Sequence, residues 1–212
     1  MDLTLPSAPT LAIFAATAIV LVAIPGPNML FILARGADQG PRAAFAAAIG
    51  VEIGTLVYVL ATALGLSALL VASPVAFNMI KYVGAAYLFY LAISALRSRP
   101  EPTANTVRER TRSLTRLGGK AAMVNILNPK VALFFLALLP QYIDPSRGSI
   151  GTQTLTLGIL FFVIALTMDL FYATLSVPLG IWWRTSSSAQ IAQRYFSSIV
   201  FLALGLYAAF VS

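Results

Sequence analysis

Residues 19–34 read IVLVAIPGPNMLFILA, and residues 121–139 read AAMVNILNPKVALFFLALL. Each is an apolar run cut by proline with an asparagine beside it. Proline removes a backbone donor and clashes with the preceding turn, and glycine loosens the chain, so neither run forms one uninterrupted helix. In hydrocarbon the freed N–H and C=O groups must find partners within the protein. A break is therefore tolerated only where it faces protein or a water-filled cavity.

The surrounding chain is built for hydrocarbon. Of 212 residues, 59% are hydrophobic and 10% are charged, against about 25% charge in soluble domains. That excludes a water-soluble enzyme, a disordered chain and a fibrous protein. Six apolar spans follow in order: Leu11 to Ala34, Ala44 to Ala72, Val75 to Leu96, Ala121 to Leu139, Gly151 to Pro178, and Tyr195 to Val211. Each is long enough to cross a hydrocarbon layer of about 30 Å as a helix. The alternating pattern of a β-barrel is absent. The fold class expected is an all-α polytopic membrane protein of six transmembrane helices. Residues 1–212 form one transmembrane domain, with halves 1–96 and 121–212 joined by an inside basic loop, 97–120. Three spans per half is an odd number, so related halves lie in opposite orientations, a 3+3 inverted repeat with its first and fourth helices broken.

The charges give the sidedness. With the N-terminus outside, Arg35, Arg42, Arg97, Arg99, Arg108, Arg110, Arg112, Arg116, Lys120, Arg184 and Arg194 fall inside, Lys81 and Arg147 outside, and Lys130 within a span. The positive-inside rule then puts both termini outside. The N-terminal ten residues carry Asp2 and no basic group, so the first span reads as a retained helix rather than a signal peptide. The net charge of +7 is explained by anionic lipid headgroups, not nucleic acid.

The chain has no His and no Cys. Haem ligation, His-based zinc sites and Ser-His-Asp catalysis are thereby disfavoured, and no cofactor, metal or enzymatic activity is expected. Three ionisable residues converge in depth. Counted from the inner span ends at about 1.5 Å per residue, Glu52 lies roughly 12 Å deep, and Lys130 and Asp169 each roughly 13 Å. Asn28 lies roughly 9 Å deep on the same reckoning. Charges at depth are costly unless they pair or line a cavity. The candidate substrate-binding set is Pro25, Gly26, Pro27, Asn28, Glu52, Asn125, Asn128, Lys130 and Asp169. The half-helix starting near Asn28, and Lys130, suit a carboxylate. Glu52 and Asp169 suit an amino group or a coupling proton. Gly50 and Gly54 form a GxxxG contact, within the protomer or between protomers, which leaves a homo-oligomer open. Tyr58, Tyr87, Tyr172 and Asn78 are polar enough to join a cavity.

These motifs carry a resemblance. The stretch VAIPGPNMLFILARGADQGPRAAFAAAIGVEIGTLVYVLATALGLSALL (22–70), KYVGAAYLFYLAISALRS (81–98) and GKAAMVNILNPKVALFFLALLPQYI (119–143) resemble the LysE/RhtB-type amino-acid exporters, near the homoserine/threonine branch. The resemblance spans nearly the whole chain. It implies a bacterial inner-membrane exporter of a small amino acid or derivative, driven by proton-motive force, with protons and lipids as its other partners. The family motif positions fall on Pro25 to Asn28 and Asn128 to Lys130. The aromatic-or-His position of the second span matches Tyr58, so a His proton relay has no residue here. The alternative is an exporter of another small metabolite or a cation.

Overall fold

The structure is a computed structural model that describes residues 5–72, 74–97 and 113–210. Nine α-helices occur among them, and no strand. The first span is α1 (Ala8–Ala23) followed by α2 (Pro27–Gln39), bent by 49°. Ser7 caps α1 by accepting the Thr10 N–H. Ile24 precedes a proline, which favours extended backbone, and the helix stops there at φ −63°, ψ 118°. Pro27 then opens α2 at its first position, where a missing N–H costs nothing. Gly40, at φ 85°, turns the chain into α3 (Pro41–Ala72), and α4 is Pro74–Arg97.

The second half repeats this plan. α5 (Leu114–Ile126) and α6 (Pro129–Leu133) make the fourth span, bent by 51°. α6 continues as a π turn, Phe134–Leu138, and a 3₁₀ turn, Leu139–Tyr142. Pro140 cannot donate to the carbonyl four residues back, and such irregular turns absorb the lost bond. The Gln141 side chain donates to the Ala137 carbonyl at 2.7 Å. α7 (Ile150–Thr174), α8 (Ser176–Thr185) and α9 (Ser187–Phe210) complete the chain.

Several boundaries differ from expectation: the first span runs on to Gln39 and the fourth begins at Leu114. The fifth span ends at Thr174, not near Pro178, because Pro178 has no N–H for the Thr174 carbonyl. Leu175 leaves helical geometry at ψ 7° and Ser176 Oγ donates to the Ala173 carbonyl at 2.7 Å. The remaining residues form the separate helix α8. The sixth helix starts at Ser187 rather than Tyr195, because its polar first turns face a cavity. Most of the basic loop expected over 97–120 falls outside the described residues, and its last part is helical as the start of α5.

Contacts fix the relative directions. A Cβ on Gly50 would lie 2.3 Å from the Gly118 oxygen and one on Gly54 2.9 Å from the Ala122 oxygen, so α3 and α5 run parallel. Counterparts in the two halves run antiparallel. Thr17 Oγ1 meets the Tyr142 hydroxyl at 2.8 Å, while further along the same pair of spans Asn28 donates to Asn125. On α3 and α7, Val59 packs at Gly158 while Glu52 shares a pocket with Asp169. On α4 and α9, Leu88 packs at Gly205 while Arg194 donates to the Leu96 carbonyl. Every span of one half thus opposes its counterpart in the other, which is an inverted repeat. The core between them is aromatic, with the Phe134 and Phe161 rings 4.4 Å apart and Phe14, Phe135 and Tyr142 around them. Ile49, Ile53, Leu60, Val163, Phe171, Ile199 and Leu206 point outward, as lipid-facing residues do. Arg35, Arg42, Arg97, Arg116, Lys120, Arg184 and Arg194 gather at one end of the bundle, and Arg147 lies at the other.

The Gly50–Gly54 face is therefore a contact inside the protomer. Gly50→Ala must push α3 off the α5 backbone, and overpacking of this kind costs about 1–3 kcal/mol or more. Gly65→Ala meets nothing within 4 Å. Thermal unfolding in detergent should show a large loss for G50A and none for G65A.

Candidate functional site

The two breaks lie against each other at the centre of the bundle, and their freed carbonyls are satisfied crosswise. Lys130 Nζ donates to the carbonyls of Leu21 (3.0 Å) and Ile24 (2.8 Å) at the end of α1. A cation at a helix C-terminus is favoured by the helix dipole. Gln193 Nε2, on α9, donates to the Pro25 carbonyl at 3.0 Å. In return, Tyr58 on α3 donates its hydroxyl to the Ile126 carbonyl at the end of α5, at 2.6 Å. Tyr58→Phe should lower stability by about 1–3 kcal/mol, the cost of leaving that carbonyl unsatisfied, measured by unfolding in detergent.

Three asparagines tie the spans together. Asn28 Nδ2 donates to Asn125 Oδ1 at 2.9 Å, and Asn128 Nδ2 donates to Asn28 Oδ1 at 2.9 Å. Asn125 spends both of its N–H groups on α3, on the Val51 carbonyl at 2.6 Å and Thr55 Oγ1 at 2.8 Å. Asn128 also caps α6 by accepting the Lys130 N–H at 3.0 Å. Gly26 leaves α2 without a side-chain cap, so the first amides of α2 keep their partial positive charge.

All of the expected site residues except Asn125 fall around two cavities, with Lys130 in the wall of both. The larger holds about 450 Å³ and reaches from the breaks to the basic end. Pro25, Gly26, Pro27, Asn128 and Lys130 line its inner part, and Trp183, Arg184, Gln190 and Arg194 its outer part. The smaller holds about 20 Å³, room for about one water. It is lined by Asn28, Met29, Glu52, Thr55 and Asp169. Glu52 and Asp169 stand side by side there, 3% and 4% exposed, next to the uncapped start of α2. Glu52 Oε2 has no hydrogen-bond partner among the described residues. Asn125 is fully buried and lines neither cavity. Depth reckoning thus brings Glu52, Asp169 and Lys130 together, with the two acids behind the lysine rather than in the open cavity.

Some functional candidates carried no sequence signal. Gln193, Arg194 and Ser197 lie on the part of α9 that hydropathy leaves out or only grazes. Arg184 pairs with Asp38 through bonds of 2.8 and 3.0 Å, joining α8 to α2. Among the described residues no group of three or more His, Cys, Asp or Glu could hold a metal ion.

Comparison with known proteins identifies this architecture. The family described as LysE type translocator matches residues 19–211. The chain belongs to the LysE type translocator family. It is 34% identical to an uncharacterized membrane protein of Vibrio cholerae over 90% of this chain and 91% of that protein. It is 30% identical to a homoserine/homoserine lactone efflux protein of Salmonella typhi, over 91% of this chain and 92% of the relative. A leucine efflux protein of Salmonella choleraesuis is also 30% identical, over 72% and 69%. No solved structure matches at a significant level. As a LysE family member this chain is a multi-pass membrane transporter and not an enzyme.

Proposed function

We propose that this LysE family member exports a small amino acid or amino-acid derivative across the bacterial inner membrane, in exchange for protons, with both termini outside. The observation that carries the reading is the 450 Å³ cavity that starts at two broken helices and reaches the basic end. Its size lies within the range of small-molecule sites. The excess of basic residues at that end supports its placement on the cytoplasmic side, so the cavity is in its inward-facing state. The names of the efflux proteins among the relatives support an amino-acid cargo.

The cargo rests against Pro25, Gly26, Pro27, Asn128 and Lys130. Glu52 and Asp169, closed off behind Lys130, serve as proton carriers in this state rather than as partners of an amino group. Rocking of the two antiparallel halves then carries the cavity from inner to outer exposure. The test is uptake of a panel of labelled amino acids into everted vesicles, with and without an acid lumen. Uptake of at least one amino acid above vesicles lacking the protein, stimulated by the acid lumen, is the expected result. A panel with no uptake in either condition overturns the reading.

A further inference from the structure

The three cations lining the large cavity are not equivalent. Arg184 is neutralised by Asp38, and the Lys130 ammonium donates to the α1 carbonyls. Arg194 is different. One Nη donates to the Leu96 carbonyl, which holds the guanidinium in place, while its buried Nε has no hydrogen-bond partner among the described residues. One turn along the same face of α9 is Ser197, 4% exposed, whose Oγ is also buried without a partner.

Ser197 departs from the habit of its neighbours. A hydroxyl in a membrane helix ordinarily bonds back to the carbonyl three or four residues earlier. Thr17, Thr154, Thr156, Thr167, Thr174 and Ser176 all do so here, and Ser197 does not. Buried polar atoms without partners are rare and call for an explanation. Two of them, three residues apart on a helix, share a face. Both belong to side chains lining one cavity, and one of them sits on a fixed cation. Among the described residues lining that cavity none is acidic.

From this geometry we infer that Arg194 and Ser197 form the receptor for the carboxylate of the cargo, so the transporter selects molecules with a free carboxylate over their amides. The inference rests on the transport reading and names the end of the cargo that is recognised. The two atoms lie just under the cavity wall, and once both side chains turn toward the cavity a carboxylate accepts from the guanidinium Nε–H and from the Ser197 hydroxyl, giving two charge-assisted hydrogen bonds in a partly dry site. Lys130 closes the far side of the cavity without being the anion's principal partner.

Binding is the direct test, because it does not require transport. Full-length protein in detergent is titrated calorimetrically with leucine, homoserine, threonine and lysine, and with the C-terminal amide of each. At least one acid is expected to bind more tightly than its amide. Ser197→Ala should weaken that acid about tenfold, and Arg194→Gln by more, since hydrogen bonds to charged groups are the costly ones to lose. Both variants should weaken the amide much less than the acid, since the amide carbonyl makes only neutral-acceptor bonds to the same donors. The inference is overturned if no acid binds better than its amide, or if S197A and R194Q bind the acid as the wild type does. It is also overturned if they weaken acid and amide equally, which marks a purely structural role. S197A stands alone if R194Q fails to fold. Carboxylate binding lost in the variants, in a protein that moves no amino acid in vesicles, would refute the export reading and leave this site standing.

Discussion

Lys130→Met is expected to abolish export in everted vesicles and to lower the unfolding temperature in detergent, together the largest effect of any single change at the site. The side chain is 9% exposed, and its ammonium serves the Leu21 and Ile24 carbonyls at the broken end of α1. Methionine fills a similar volume and donates nothing. The Leu21 carbonyl keeps the Ile24 N–H at 3.2 Å, but the Ile24 carbonyl is left without a donor, which costs about 1–3 kcal/mol. The end of α1 also loses the cation that suits its dipole. Because Lys130 stands between the open cavity and the two acids, export should fall at least a hundredfold even in the fraction that folds. Wild-type export together with a wild-type unfolding temperature would refute both roles.

Glu52→Gln and Asp169→Asn should act differently, removing the drive while sparing the fold. Each is close to isosteric, so packing between α3 and α7 survives, but neither amide takes up and releases a proton as a carboxyl group does. In everted vesicles the wild type should accumulate substrate faster when the lumen is acid, since protons leaving the lumen drive substrate in. Each variant is expected to lose that stimulation, by at least tenfold, and to retain exchange of labelled for unlabelled substrate at equal pH on both sides. Unchanged stimulation in both variants would show that the pair does not couple transport to protons.

The breaks were legible because proline and glycine act locally: Pro25 and Pro27, and later Pro129, must interrupt a helix whatever surrounds them. The depths of Glu52 and Lys130 were legible because helical rise is constant. Asp169 was reckoned from Pro178, four residues past the true end of α7, yet it still meets Glu52, because the two helices pack side by side along their length. What a sequence pattern cannot convey is where a freed carbonyl finds its donor. Lys130 reads as a charge for a substrate until its bonds to Leu21 and Ile24 are seen. Tyr58 likewise reads as a cavity residue until its bond to Ile126 is seen. The start of α9 is hidden for a related reason: its first turns, SSAQIAQR (187–194), are too polar to count as a span. They are helical because that polar face borders the cavity and supplies Gln193 to Pro25.

The crosswise bonding at the breaks bears on how such a chain could arise or be divided. The bare carbonyls of the first half are answered by Lys130 and Gln193 of the second, and that of Ile126 by Tyr58 of the first. Severed between the halves and made as two polypeptides, neither piece could complete its own wiring in the bilayer, and each would need the other present as it inserts.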